Sequence, residues 1–175
     1  MWNPRVVDLF DFTTNQFSLL AAFQVLGMVT QGFLTNIYGP PCSKQKMNFL
    51  ESLRMLKLEA GIKPWFLGGD FNLVRNLDEK KGGIQKFNHA NEYLNEVIEN
   101  LELVDVRMTN GTYTWNNKKP GDRGISCRLD LLLVSESIIM KGGEMKAPVL
   151  PSAGSDHWPI SLKWKNVGVN PCRPF

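Results

Sequence analysis

The chain has 175 residues, 43% of them hydrophobic and 21% charged, with a net charge of +3. That length suits one substantial core and excludes two full domains, and so small a charge diagnoses no nucleic-acid partner, so a claim of phosphate binding must rest on local residues. Cys42, Cys127 and Cys172 stand far apart without a CxxC pair, and no stretch approaches the ~20 apolar residues of a membrane span; disulfide framework, zinc site and membrane are all set aside, and a soluble intracellular chain without a targeting signal is expected.

Arg5 to Phe12 and Phe17 to Phe23 are rich in Val, Phe and Leu and are parted by Thr13-Thr14-Asn15-Gln16, which predicts a β-hairpin. Gly32 to Tyr38 predicts a third strand, stopped by Gly39-Pro40-Pro41, because proline cannot continue a ladder. Ser43 is positioned as an N-cap, Met47, Leu50, Leu53 and Leu56 recur every three residues, and Gly61 is placed to end the helix. Pro64 to Leu67 lacks polar alternation, the pattern of a strand buried on both faces, and runs into Gly68-Gly69-Asp70-Phe71-Asn72.

A second helix is predicted from Asn88, with Leu94, Val97, Ile98 and Leu101 on one face. Short strands follow around Thr112 to Trp115, Cys127 to Val134, Met145 to Val149 and His157 to Trp164. The strands outnumber the helices more than twofold, which predicts an α+β fold of packed, mostly antiparallel sheets with helices outside. Residues 166–175 have no periodicity and read as a loose tail after a domain of 1–165.

Four places carry residue types suited to chemistry. In an extended segment Asp70 and Asn72 project to one side while Phe71 turns inward; a carboxylate can hold a cation or activate water, and an amide can donate to a phosphate oxygen, although an Asx turn closing a strand would leave the same trace. Asp156-His157 opens a β run, an oxygen ligand for a hard cation beside an imidazole for phosphate, or else a capped surface loop. Asp130 stands in an apolar strand, where a carboxylate needs a partner, and Arg128 should point to the opposite face. Trp115, Lys118, Lys119 and Arg123 on one hairpin set cations beside an aromatic, which suits a nucleic-acid backbone and equally suits a solvated turn. His89, on the solvated start of a helix, receives no role.

Tyr38 in Thr-Asn-Ile-Tyr-Gly-Pro-Pro, Gly-Asp-Phe-Asn at 69–72, Arg-Leu-Asp at 128–130 and Ser-Asp-His at 155–157 occur in the order and spacing of the endonuclease/exonuclease/phosphatase superfamily. With Tyr-Thr-Trp-Asn-Asn around Trp115 and Leu-Leu-Leu-Val-Ser after Asp130, the chain most resembles the endonuclease domain of LINE-type (non-LTR) retrotransposons, over roughly Trp2 to Trp164. The resemblance implies a four-layer sandwich in which Asp70 helps activate water, Asn72 binds the scissile phosphate, Asp156 and Asp70 serve the metal, His157 contacts phosphate with Asp130 behind it, and Tyr38 lies near. It also implies Mg²⁺ or Mn²⁺ as cofactor and DNA as substrate, with a nuclear setting.

Two departures stand out. Cys127 replaces the serine that usually precedes the arginine. The family's opening strand with its asparagine, and its Gln-Glu-Thr-like motif with a metal-binding glutamate, have no counterpart, since no glutamate precedes Glu51 and Asp8 and Asp11 read as solvated hairpin residues. The expectation is an N-terminally shortened domain with weak metal binding, impaired catalysis and an exposed sheet edge open to association. Three functions stay open: a Mg²⁺-dependent DNA endonuclease, a non-catalytic nucleic-acid-binding remnant, and a hydrolase of the same superfamily acting on an inositol phosphate, a sphingolipid or a poly(A) tail.

Overall fold

The computed structural model describes residues 4–27, 30–140, 142, 144–152 and 154–165. Trp2, Asn3, Cys172 and the tail 166–175 lie outside them. Strands β1 (Val7–Thr14) and β2 (Ser18–Val25) form the predicted hairpin, and β3 (Gln31–Tyr38) adds to it antiparallel. Helix α1 (Ser43–Ala60) then crosses over to β4 (Trp65–Asp70), which pairs parallel to β3. Its N-cap is Cys42 rather than Ser43, and no side chain caps it; Gly61 ends it with φ 59°, as expected of glycine.

After the two-residue strand β5 (Lys80–Lys81), α2 (His89–Asn100) starts at Asn88, whose side chain closes a capping box with Asn91. β6 (Leu103–Asp105) was not anticipated. The run predicted from Cys127 to Val134 is two strands, β8 (Ser126–Cys127) and β9 (Asp130–Ser135), parted at Arg128-Leu129, so Asp130 opens a strand instead of interrupting one. The other late strands are shorter than their hydrophobic runs: β7 is Trp115–Asn116, β10 is Glu144–Lys146 and β11 is Lys163–Lys165, with isolated bridges at Ala147, Val149, His157 and Ile160. Proline at 148, 151 and 159 removes ladder donors from these stretches. A short helix, α3 (Glu136–Met140), follows β9 directly.

The main sheet has the order β1-β2-β3-β4-β9-β6, antiparallel apart from the β3–β4 pair; β5-β8-β7 and β10-β11 form two small sheets. Leu20, Ile37, Trp65, Leu67, Leu131 and Leu133 on one face bury against Phe49, Leu50 and Leu53 of α1 and Leu94, Val97 and Ile98 of α2. At ~25 cal/mol per Å² of apolar surface this is the principal stabilising layer. On the other face Phe23, Phe66 and Val134 meet Ile138 of α3 with Met145, Leu162 and Trp164. A groove of about 580 Å³ remains there beside Leu34, Phe66, Leu132, Ile160 and Leu162. The open edge at β1 carries solvated Asp8 and Asp11, the latter in a bulge with φ 50°, features that discourage pairing with another strand.

Candidate active site

The sheet register brings three predicted residues side by side. Tyr38 pairs with Asp70 across the parallel β3–β4 ladder, and Asp70 pairs with Asp130 across the antiparallel β4–β9 ladder. Two strands therefore end, and one begins, at the same level of the sheet. The close approach needs glycine: Gly69 has φ 141°, and a Cβ there would lie 2.1 Å from the Ile37 carbonyl oxygen.

Beyond β4 the chain turns at Asn72, whose φ of 50° is left-handed. The turn is tied from every side. Asn72 N–H donates to Asp70 Oδ1 (2.8 Å), and its amide Nδ2 donates to Asp70 Oδ2 (2.9 Å) and to the Gly39 carbonyl (2.8 Å). Lys46 Nζ, from the first turn of α1, donates to the Asn72 carbonyl (2.8 Å). Both amide N–H bonds of Asn72 are thus engaged within the protein, so in this arrangement its amide fixes the Asp70 carboxylate instead of offering a donor to phosphate.

His157 comes from the other end of the chain. Its Nδ1 lies 2.9 Å from Asp130 Oδ2, which makes Nδ1 the protonated nitrogen and turns Nε2 toward Asp70 Oδ2 at 3.9 Å. Asp70 and Asp130 side chains are 12% and 15% exposed and His157 31%, a site shielded but open to a ligand. Fully buried Thr114 organises the junction: its Oγ1 accepts from the N–H groups of Leu129 and Asp130, and its carbonyl accepts from Trp158 N–H. Next to it, Trp115 bridges to His157, and its indole Nε1 donates to Asp156 Oδ2 (2.9 Å).

The electrostatics follow from these placements. Burial pushes the Asp70 pKa above the usual carboxylate value; the Asn72 N–H opposes this, neighbouring Asp130 adds to it, and His157 and Lys46 offset part of it. Asp156, at the surface, is held below its usual value, chiefly by the Trp115 indole N–H. Asp70 is therefore the more basic of the two carboxylates.

Tyr38 is 66% exposed at the rim. Lys119 and Arg123 are exposed on the β7–β8 hairpin, and Lys118 Nζ donates to the Gly154 carbonyl (2.6 Å), which fastens that hairpin to the 154–157 turn. His89 lies on the exposed start of α2, with its Nδ1 3.9 Å from Glu92. Sequence reasoning missed Lys46, which reads as an ordinary solvated helix charge, and Thr114, whose partners lie 15 and 16 residues away. It also missed the indole bond of Trp115 to Asp156, across 41 residues.

The sequence profile described as endonuclease-reverse transcriptase matches residues 33–161. The chain belongs to the endonuclease-reverse transcriptase family. Within the wider endonuclease/exonuclease/phosphatase superfamily, it is similar to the endonuclease domain of TRAS1, a telomere-specific non-LTR retrotransposon, with 17% identity and TM-score 0.71 over 91% of this chain and 69% of that one. It is also similar to D. rerio TDP2, solved with a single-strand DNA product (16% identity, TM-score 0.58, 91% and 69% covered), and to a Bacteroides thetaiotaomicron mannosyl-6-phosphatase (14%, 0.58, 91% and 67%). No curated protein matches. These neighbours and this chain share one fold, mixed sheets flanked by helices. Among the described residues no helix is long and apolar enough to cross a membrane.

The superfamily is generally divalent-metal dependent. Among the described residues no group of three His, Cys, Asp or Glu side chains is placed to cage an ion. Oxygen donors from Asp70 and Asp156 suit a hard cation such as Mg²⁺, which commonly takes one or two protein carboxylates and completes its octahedron with water and substrate phosphate. Each carboxylate alone is a donor for a hydrated ion, and among the described residues they form no closed site.

Proposed function

We propose that this domain hydrolyses DNA phosphodiester bonds with Mg²⁺ or Mn²⁺ as cofactor. The observation that carries the reading is the convergence of Asp70, Asp130 and His157, from positions spread over the chain, around a shielded opening where two carboxylates and an imidazole lie within interaction distance. Asp70, fixed by Asn72 and made more basic by burial, orients and deprotonates the attacking water. His157, held in one tautomer by Asp130, presents Nε2 to the phosphate, and Tyr38 offers its hydroxyl at the rim. A divalent ion held by Asp70 and Asp156 would supply charge neutralisation at the phosphoryl oxygens.

DNA is favoured over a small phosphate ester because the hairpin bearing Lys118, Lys119 and Arg123 is fastened to the Asp156-His157 turn through Lys118 and Asn116, which suits a phosphate backbone running past the site. Trp115 contributes there through its bond to Asp156. Phosphate contacts of this kind position a duplex without reading its sequence. The scarcity of metal donors favours a second reading, DNA binding with little turnover. Nicking of supercoiled plasmid across a Mg²⁺ series separates them. Slow nicking that rises with Mg²⁺ and stops with EDTA supports hydrolysis; binding with no nicking at any Mg²⁺ or Mn²⁺ concentration leaves the non-catalytic reading.

A further inference from the structure

We propose that Lys46 is a substrate-binding residue of this site, a fixed ammonium that receives the phosphate of the bound nucleic acid next to Asp70. The inference rests on the DNA reading above and adds to it a residue with no obvious place in the sequence motifs. Lys46 reaches from the first turn of α1, half-buried, to the Asn72 carbonyl at 2.8 Å. An ammonium has three N–H donors. That single hydrogen bond occupies one, and among the described residues no carboxylate lies within ion-pair distance of it, which leaves two donors for an incoming anion.

The surroundings call for such a donor. Two carboxylates, Asp70 and Asp130, face the opening, and a phosphodiester brings further negative charge. Asn72, the amide that sequence reasoning set against the phosphate, has both N–H bonds engaged with Asp70 and Gly39. His157 has one ring nitrogen on Asp130, leaving only Nε2. Lys46 then supplies positive charge at the same turn, and its effect is felt at Asp70, where it opposes the upward push of burial. Its bond to the Asn72 carbonyl also steadies the left-handed residue that orients Asp70.

The test is binding of a fluorescein-labelled DNA duplex by the full chain in EDTA, across a NaCl series, for wild type, Lys46→Met, Lys46→Arg and Lys46→Gln. Each phosphate contact contributes about 0.9 to the slope of log affinity against log salt. Lys46→Met is expected to bind about tenfold more weakly at low salt and to lose about 0.9 from the slope, with Lys46→Arg keeping the slope. Lys46→Gln, which keeps an amide donor and loses the charge, should behave like Lys46→Met and serves if the methionine variant does not fold. A folded Lys46→Met or Lys46→Gln variant with wild-type slope and affinity would overturn the proposal and leave Lys46 a purely structural contact.

A wild type that does not bind DNA would instead count against the nucleic-acid reading. Inorganic phosphate, followed by amide shifts at Asp70 to Asn72, then decides Lys46 alone. Shifts in wild type that vanish in Lys46→Gln sustain it, and no shifts in wild type, or the same shifts in both proteins, refute it.

Discussion

Two charge clusters flank the tripeptide Arg128-Leu129-Asp130, and they differ in almost every respect. On one side Arg128, with a side chain 3% exposed, contacts Glu79 Oε1 at 2.7 Å and Asp105 Oδ1 at 2.5 Å. Arg75 and Arg107 add bonds of 3.0 and 2.8 Å to the same two acids. Glu79 also accepts from Arg75 N–H, and its own carbonyl accepts from Arg128 N–H, so the cluster is closed and nearly every donor is met. On the other side Asp130, Asp70 and His157 are partly exposed and crowd two acids around one imidazole, and burial raises the pKa of Asp70. A satisfied network of this kind rigidifies a fold; an unsatisfied one facing solvent is where a ligand gains most.

The largest expected effect is on the closed cluster. Arg128→Met leaves Asp105 and Glu79 buried without their central cation, and should cost about 3–5 kcal/mol in urea unfolding, a large part of the ~5–15 kcal/mol of an ordinary domain. A loss under ~1 kcal/mol would mean that the cluster relaxes into water more easily than its burial implies.

Next comes the open cluster, where the loss falls on activity. Asp70→Ala and His157→Ala should each lower the cleavage rate by about 10²–10⁴, the usual worth of a positioned proton-transfer group, with unfolding free energy near that of wild type. Asp130→Asn, which removes the anion that fixes the His157 tautomer, should cost about 10–100-fold. His89→Ala, with an exposed side chain on α2, should change neither quantity.

The smallest effect separates the clusters by pH. Burial pushes Asp105 up, but its hydrogen bonds and attraction to Arg128 and Arg75 more than offset this, and its net pKa is lowered. Its contribution to stability is therefore present above the ordinary carboxylate range and lost as pH falls below about 4, and Asp105→Asn should flatten that acid limb. Asp70 has the opposite sign. Its pKa is raised in the metal-free site, so in EDTA the Asp70 carboxyl, followed by NMR, should ionise at a pH above the ordinary carboxylate value. Ionisation at or below the ordinary value would mean that burial does not dominate at Asp70.

The same contrast explains what was legible in the sequence. The four motifs stood out because Asp70, Asn72, Asp130, Asp156 and His157 sit at strand ends among glycines and aromatic residues, where polar side chains break a local pattern. Helix α2 was legible from about Asn88, since its apolar spacing is a local feature. The closed cluster was not, because Glu79, Asp105 and Arg128 are 23 to 49 residues apart and each alone resembles a solvated charge. The short late strands were overcalled for a related reason: hydrophobic runs mark burial, while Pro148, Pro151 and Pro159 limit how much of that burial can be ladder. Lys46 was invisible because a lysine in the first turn of a helix is usually solvated, and only the fold places the Asn72 carbonyl under it.

If chemistry resides in the open cluster, it should be separable from binding there. The measurement is single-turnover cleavage of a labelled DNA duplex at saturating Mg²⁺, beside duplex affinity, for wild type and Asp70→Ala. Asp70→Ala should bind DNA as tightly as wild type or more tightly, while its cleavage falls by at least about 10². Equal cleavage by the two proteins would place the chemistry elsewhere.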